Sequence, residues 1–158
     1  MNARGILLVA EAFRFRMRVR FHECDGQKVV FNSRYGEYVD VAALEFSRAL
    51  WGSVATGSGG EPPVDWRLVK QEMQWKSPAV FDDIIEISVT TKAVGTTSFT
   101  WQSELTHGES GRVLACAKTV YVFFDSTNNT KRVIDEEMRQ QLWLGAPDVL
   151  TDCSGLIR

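Results

Sequence analysis

The chain has 158 residues, 44% of them hydrophobic and 24% charged, with 18 basic side chains against 20 acidic ones and a net charge of −2. These values fit one globular domain, which at this size buries roughly 70% of its unfolded surface, and they exclude a disordered chain. The basic excess of most nucleic-acid binders is absent, so no nucleic-acid partner is expected and an anion site must be a local cluster.

In chain order, the run Ile6-Leu7-Leu8-Val9-Ala10 ends at Glu11. It is too short for a membrane span and poor as a secretory signal, so it is expected to be a first strand or an ordered arm, with no membrane partner. From 13 to 22 the chain alternates: Phe13, Phe15, Met17, Val19 and Phe21 on one face, Arg14, Arg16, Arg18 and Arg20 on the other. Period-two spacing predicts a half-buried strand. Four arginines on one face could bind phosphates, but the favoured reading is a solvated face that discourages edge pairing.

Turn chemistry follows at Asp25-Gly26, then Asn32 and Ser33, both good helix N-cap residues. A helix is predicted over Arg34–Leu50, with Tyr35, Val39, Ala42, Phe46 and Leu50 at helical spacing. Tyr38, Val41, Ala43, Leu44 and Ala49 widen that face, which predicts a largely enclosed helix. Residues 52–65 form a Gly- and Pro-rich loop. Strands are predicted at Trp66–Lys76, around Ile85–Thr91 and at Ser98–His107, where Phe99, Trp101, Ser103 and Leu105 share a face. Arg112–Phe124 reads as a central strand buried on both faces. Asp135–Leu144 reads as a short helix capped by Asp135, and the tail from Gly145 as loosely held. One long apolar helix followed by about four strands must be wrapped by its sheet. The expected fold is α+β: one domain over residues 1–158, core about 13–144, an antiparallel sheet around one long central helix.

Three cysteines (Cys24, Cys116, Cys153), odd in number and widely spaced, argue against a disulfide framework and for a reducing, cytoplasmic setting. With two histidines (His22, His107) and no CxxC, no zinc site is expected, and no motif asks for another metal or a redox cofactor.

The stretch from Val19 to Tyr35, VRFHECDGQKVVFNSRY, resembles the N-terminal signature of the 4-hydroxybenzoyl-CoA thioesterase family. Tyr38, Asp40 and Ala42 continue it. Trp75-Lys76-Ser77-Pro78-Ala79 before Asp82-Asp83, Gly95–Thr100 and Lys131–Arg139 match further family elements, so the similarity covers about residues 13–144. The resemblance implies a hotdog fold, acyl-CoA thioester hydrolysis and pairing as a homodimer or homotetramer with the site between subunits. It implies that Asp25 is the general base or the attacking carboxylate, and that the backbone N–H at Asn32, with Ser33 beside it, receives the oxyanion. Read alone, Asp25-Gly26 is a common turn pair.

The chain departs from the family pattern at Lys28, where glycine is usual, and at Asn32, where tyrosine or histidine is frequent. The Asn-Ser-Arg-Tyr wording is closer to medium- and long-chain acyl-CoA thioesterases. CoA would enter as part of the substrate, its phosphates needing Lys or Arg. The candidates are Lys28, Arg34, Lys76, Arg112, Lys131 and Arg132. Asp40 and Glu37 are fallback acids, because one branch of the fold uses a helix carboxylate. A Cys24–His22 nucleophile pair lacks a dedicated oxyanion donor. Related hydratases place histidine five residues after the aspartate, and Val30 stands there. Trp51, Trp66, Trp75 and Trp101 could line an aromatic pocket, although large aromatics more often fill cores. A non-catalytic acyl-CoA or acyl-carrier binding module of the same fold is the alternative.

Overall fold

A computed structural model describes residues 10–57 and 64–155; the expected strand or arm at 6–9 and the centre of the loop at 58–63 lie outside the described residues. The elements are β1 (Phe13–Arg18), α1 (Arg34–Trp51), β2 (Trp66–Trp75), β3 (Ile84–Val94), β4 (Ser98–His107), β5 (Val113–Asp125), β6 (Thr130–Lys131), α2 (Glu136–Leu144) and β7 (Leu150–Asp152). The seven strands form one mixed sheet in the order β2-β5-β4-β3-β1-β7, with β6 on β5. It is mixed because β7 runs parallel to β1, where an all-antiparallel sheet was expected.

The β1 alternation holds as far as Arg18. Phe13, Phe15 and Met17 are buried, while Arg14, Arg16 and Arg18 take the other face. Those arginines are occupied by carboxylates: Arg14 by Glu11, Arg16 by Glu86 at 2.6 Å and Arg18 by Asp82 at 2.9 Å. Such half-exposed pairs contribute about 0–1 kcal/mol each, but they leave the row committed to neighbours rather than to a phosphate. Beyond Val19 the expected strand is interrupted. Phe21–Glu23 is a 3-10 turn that throws Phe21 outward, 79% exposed and edge-on to Phe81 at 5.7 Å.

Helix α1 buries Tyr35, Tyr38, Val39, Ala42, Ala43, Phe46 and Ser47. Its Phe46 ring sits 5.2 Å from Phe13 of β1 and 4.9 Å from Trp101 of β4, which seats the helix on the sheet. The helix is less enclosed than expected, since Glu37, Asp40, Val41, Arg48 and Ala49 are exposed. Trp101 is core, with Trp51 and Trp66 packed against it, and Trp75 is exposed.

On β5, Ala115, Ala117, Thr119, Tyr121 and Phe123 are buried, but Lys118 on the opposite face is exposed, so the strand is not enclosed on both sides. Among the described residues, strand β2 is an edge paired only with β5, and it exposes Leu68 and Val69. The Asp135 cap forms as expected: Met138 N–H donates to its Oδ1 at 2.8 Å. The tail is tied down rather than loose, because β7 adds to the sheet edge and Arg14 N–H donates to the Val149 carbonyl at 2.9 Å.

Candidate active site

Asp25 opens a tight hairpin. Cys24 and Val30 form an antiparallel bridge, and Asp25 N–H donates to the Val29 carbonyl at 2.9 Å. Lys28 N–H closes the turn on the Asp25 carbonyl at 2.9 Å, and Gln27 N–H donates to Asp25 Oδ1 at 2.8 Å. The aspartate therefore does serve its turn, and its second oxygen, Oδ2, takes no hydrogen bond among the described residues.

This geometry accounts for one departure from the family pattern. Lys28 has φ 64°, a left-handed conformation that glycine adopts without penalty and that costs other residues roughly 1–2 kcal/mol. Lys28→Gly is expected to stabilise the protein by about 0.5–1 kcal/mol, part of the gain being lost to glycine's unfolded-state entropy. A thermal melt should show Tm rising by roughly 1–4 °C. An unchanged or lower Tm would mean that the lysine side chain makes a compensating contact.

Behind the hairpin stands an acid that sequence reasoning missed. Glu23 is only 4% exposed. Its Oε2 accepts from Tyr38 Oη at 2.9 Å and from Arg20 N–H at 2.7 Å, and its carbonyl accepts from Phe31 N–H at 3.0 Å. One residue thus ties the exit of β1, the helix and the helix entry together, two positions before Asp25. Burial, then the hydrogen bond to Glu23, pushes the Tyr38 phenol far above its ordinary value, so Tyr38 stays a donor. The available signal was the reach-back spacing from Glu23 to Arg20, three residues earlier.

At the helix mouth, Ser33 occupies the N-cap position but its side chain makes no capping bond, contrary to expectation. Arg34 N–H donates instead to the Phe31 carbonyl at 2.9 Å, and the Asn32 carbonyl accepts from Trp75 Nε1–H at 3.2 Å. The N–H groups of Asn32 and Ser33 meet no acceptor among the described residues. A helix N-terminus with unengaged, exposed N–H groups offers partial positive charge to a developing anion.

The segment after β2 braces this region. Val30 N–H donates to the Ala79 carbonyl at 2.9 Å, Ala79 N–H donates to Tyr35 Oη at 3.1 Å, and Arg112 Nη1 donates to the Pro78 carbonyl at 3.1 Å. Lys28, Lys76 and Arg112 are exposed around it. Arg34 is engaged by both oxygens of Glu37 at 2.8 Å. Lys131 and Arg132 are elsewhere. Lys76 N–H bonds Leu114 at one end of β5, whereas Lys131 pairs with Phe124 at the other. Ten strand residues span roughly 33 Å, so these two groups cannot serve one phosphate cluster within a protomer.

The thiol alternative is less suited to the chemistry. Desolvation, then the carboxylates of Asp25 and Glu23, pushes the Cys24 thiol above its ordinary value, opposite to what a nucleophilic thiolate needs. Asp40 is exposed on α1, and its carboxyl is raised by partial desolvation and by Glu37.

Residues 27–114, more than half of the chain, match the family described as the thioesterase superfamily, and the chain belongs to that family. The matched span begins two residues after Asp25 and contains Asn32, Ser33 and Trp75. A provisionally named esterase from Aquifex aeolicus (strain VF5) is 29% identical over 89 residues, 56% of this chain and 68% of its own length. Among solved structures, a 1,4-dihydroxy-2-naphthoyl-CoA thioesterase from Synechocystis is similar with a TM-score of 0.71 and 20% identity, over 83% of this chain and 95% of its own. A thioesterase from Thermus thermophilus, complexed with coenzyme A and Zn, is similar with a TM-score of 0.69 and 19% identity, over 82% of this chain and 90% of its own. At these identities the structural likeness concerns the fold.

Proposed function

We propose that the protein is an acyl-CoA thioesterase of hotdog type that releases a free acid and CoA. The observation that carries this reading is the pairing of Asp25, one carboxylate oxygen unengaged, with the unengaged N–H groups of Asn32 and Ser33, joined by one short braced hairpin. As general base, Asp25 takes a proton from water as the water oxygen bonds to the thioester carbonyl carbon. The carbonyl oxygen becomes an oxyanion facing the helix mouth. The C–S bond then breaks, and the CoA thiolate recovers a proton from the Asp25 carboxyl. As nucleophile, Asp25 would bond to the carbonyl carbon and the C–S bond would break, releasing CoA thiolate and leaving an anhydride. Water would then hydrolyse the anhydride to the free acid and the Asp25 carboxylate, the water's second proton going to the thiolate. Water is the co-reactant on either route, and CoA enters only with the substrate. Lys28, Lys76 and Arg112 are the basic groups we assign to its phosphates on this protomer.

The open β2 edge, with Leu68 and Val69 exposed, supports a homodimer formed along that strand. Such a dimer would cover part of the exposed side of α1 and bring the far end of the partner's β5 toward this site. Sedimentation velocity is expected to show a dimer, and a monomer at micromolar concentration would overturn that part.

The test of function is CoA-thiol release across acyl-CoAs of increasing chain length and aromatic acyl-CoAs. Hydrolysis of at least one class is expected. Binding of acyl-CoA with no thiol release from any would leave a non-catalytic binding module and end the enzyme reading.

A further inference from the structure

We propose that Trp75 is a positioning residue for the reaction: by holding the Asn32 carbonyl, its indole N–H aims the Ser33 N–H at the oxyanion. The inference rests on the thioesterase reading above and adds a residue to it. In a trans peptide the N–H and C=O point in opposite directions, so whatever anchors a carbonyl also aims the N–H of the following residue. Two consecutive peptides at the helix mouth are anchored in this way. The Phe31 carbonyl takes Arg34 N–H at 2.9 Å, which sets the direction of the Asn32 N–H within the local turn. The Asn32 carbonyl has a different anchor, the Trp75 indole at 3.2 Å, from a residue 43 positions away.

Trp75 is itself well placed to do this. It is the last residue of β2, paired with Ala115, and the next two N–H groups, Lys76 and Ser77, both bond the Leu114 carbonyl at 2.8 and 3.1 Å. The strand end is pinned at that point, and the indole N–H reaches from it to the Asn32 carbonyl. A hydrogen bond onto the carbonyl also polarises the peptide and makes its N–H a stronger donor. Without the indole, the Asn32 carbonyl has no other hydrogen-bond partner among the described residues, and only the turn closed by Arg34 N–H on Phe31 directs the Ser33 N–H.

The test uses the full chain and the best acyl-CoA from the thiol-release panel. Trp75→Phe keeps an aromatic ring and deletes the N–H. Its kcat is expected to fall about 10-fold with KM within about twofold, a fraction of the 10²–10³ typical for outright loss of an oxyanion donor. Replacing the Ser33 amide by an ester, with the α-hydroxy analogue of serine at position 33, deletes the second donor itself. Proline would not serve, because Ser33 is the third residue of the turn closed by Arg34 N–H on Phe31, where proline forces Asn32 out of its turn conformation. The kcat of the ester is expected to fall at least as far as in Trp75→Phe. In that ester background, Trp75→Phe should then cause no further loss, because the group it aims is gone. If Trp75→Phe leaves kcat within twofold of wild type, or lowers it equally in both backgrounds, the indole does not act through Ser33 and the proposal fails. Should Trp75→Phe lower Tm, binding of two CoA analogues decides. Weaker binding of a tetrahedral trifluoromethyl-ketone analogue with an unchanged thioether supports the proposal, and equal weakening overturns it. A wild type that hydrolyses no acyl-CoA fails the thioesterase reading, and this proposal with it; an active wild type with an indifferent Trp75 fails only the positioning role.

Discussion

Asp25→Asn is expected to lower kcat for thioester hydrolysis by about 10²–10⁴, the range typical for loss of a positioned general base or nucleophile. The substitution isolates the chemistry. Asparagine keeps an Oδ1 acceptor for Gln27 N–H, and the backbone bonds of the hairpin, Asp25 N–H to Val29 and Lys28 N–H to the Asp25 carbonyl, do not involve the side chain. Tm should therefore stay close to wild type, and binding of a CoA thioether should be retained. Full activity in this variant would remove Asp25 from the chemistry while leaving the reaction class intact, and Asp40 of α1 would be the next acid to test. A fall in kcat matched by a fall in Tm would point to the turn role instead.

The second large effect concerns stability. Trp101 is 1% exposed and lies at the centre of an aromatic cluster, with ring centroids 4.9 Å from Phe46 and Phe99, 5.2 Å from Tyr121 and 5.4 Å from Trp66. Trp101→Ala is expected to cost about 3–5 kcal/mol, the usual range for emptying a buried aromatic site. Domains of this size have about 5–15 kcal/mol in total, so the variant should melt roughly 6–20 °C lower. Its Nε1–H is buried and meets no partner among the described residues, an arrangement that itself costs about 1–3 kcal/mol. Trp101→Phe removes that unsatisfied donor while keeping most of the ring volume, so its loss should be much smaller. Near-UV circular dichroism melts of both variants check the pair. Equal destabilisation would mean that the indole N–H has a partner after all.

The legible parts of the chain were those with local causes. Alternation placed Phe13, Phe15 and Met17 on the inner face of β1, and Phe99, Trp101 and Leu105 on that of β4. Asn32-Ser33 marked the start of α1 within a residue, and Asp135 capped α2 as its position required. The family signature singled out Asp25, which opens the hairpin, and Asn32 and Ser33, which follow it at the helix mouth; their part in the reaction belongs to the proposal.

The illegible parts depended on partners far away in the chain. Phe21 continues the apolar alternation of 13–21 but turns outward, because Glu23 folds back onto Arg20 and ends the strand. Glu23 itself carries no apolar period, so nothing in its immediate neighbours announces that Tyr38 closes over it. Leu150–Asp152 is too short to show a period, yet it adds to the sheet because β1 leaves its edge unpaired there. The arginines of β1 looked available for phosphates until Glu86 and Asp82 arrived from another strand and the loop before it.

The sequence by itself determined the element types, the faces that must be buried and the presence of a carboxylate ahead of a helix N-terminus. Apolar spacing and capping chemistry are properties of neighbouring residues, and they act before any fold exists. Only the tertiary structure decided which basic residues can act together, that Lys28 bears a left-handed turn, that Glu23 is buried, and that Trp75 reaches the Asn32 carbonyl. Those outcomes depend on strand register and on where loops return, and the physics of a hydrogen bond at about 3 Å carries no trace in residues 43 positions apart.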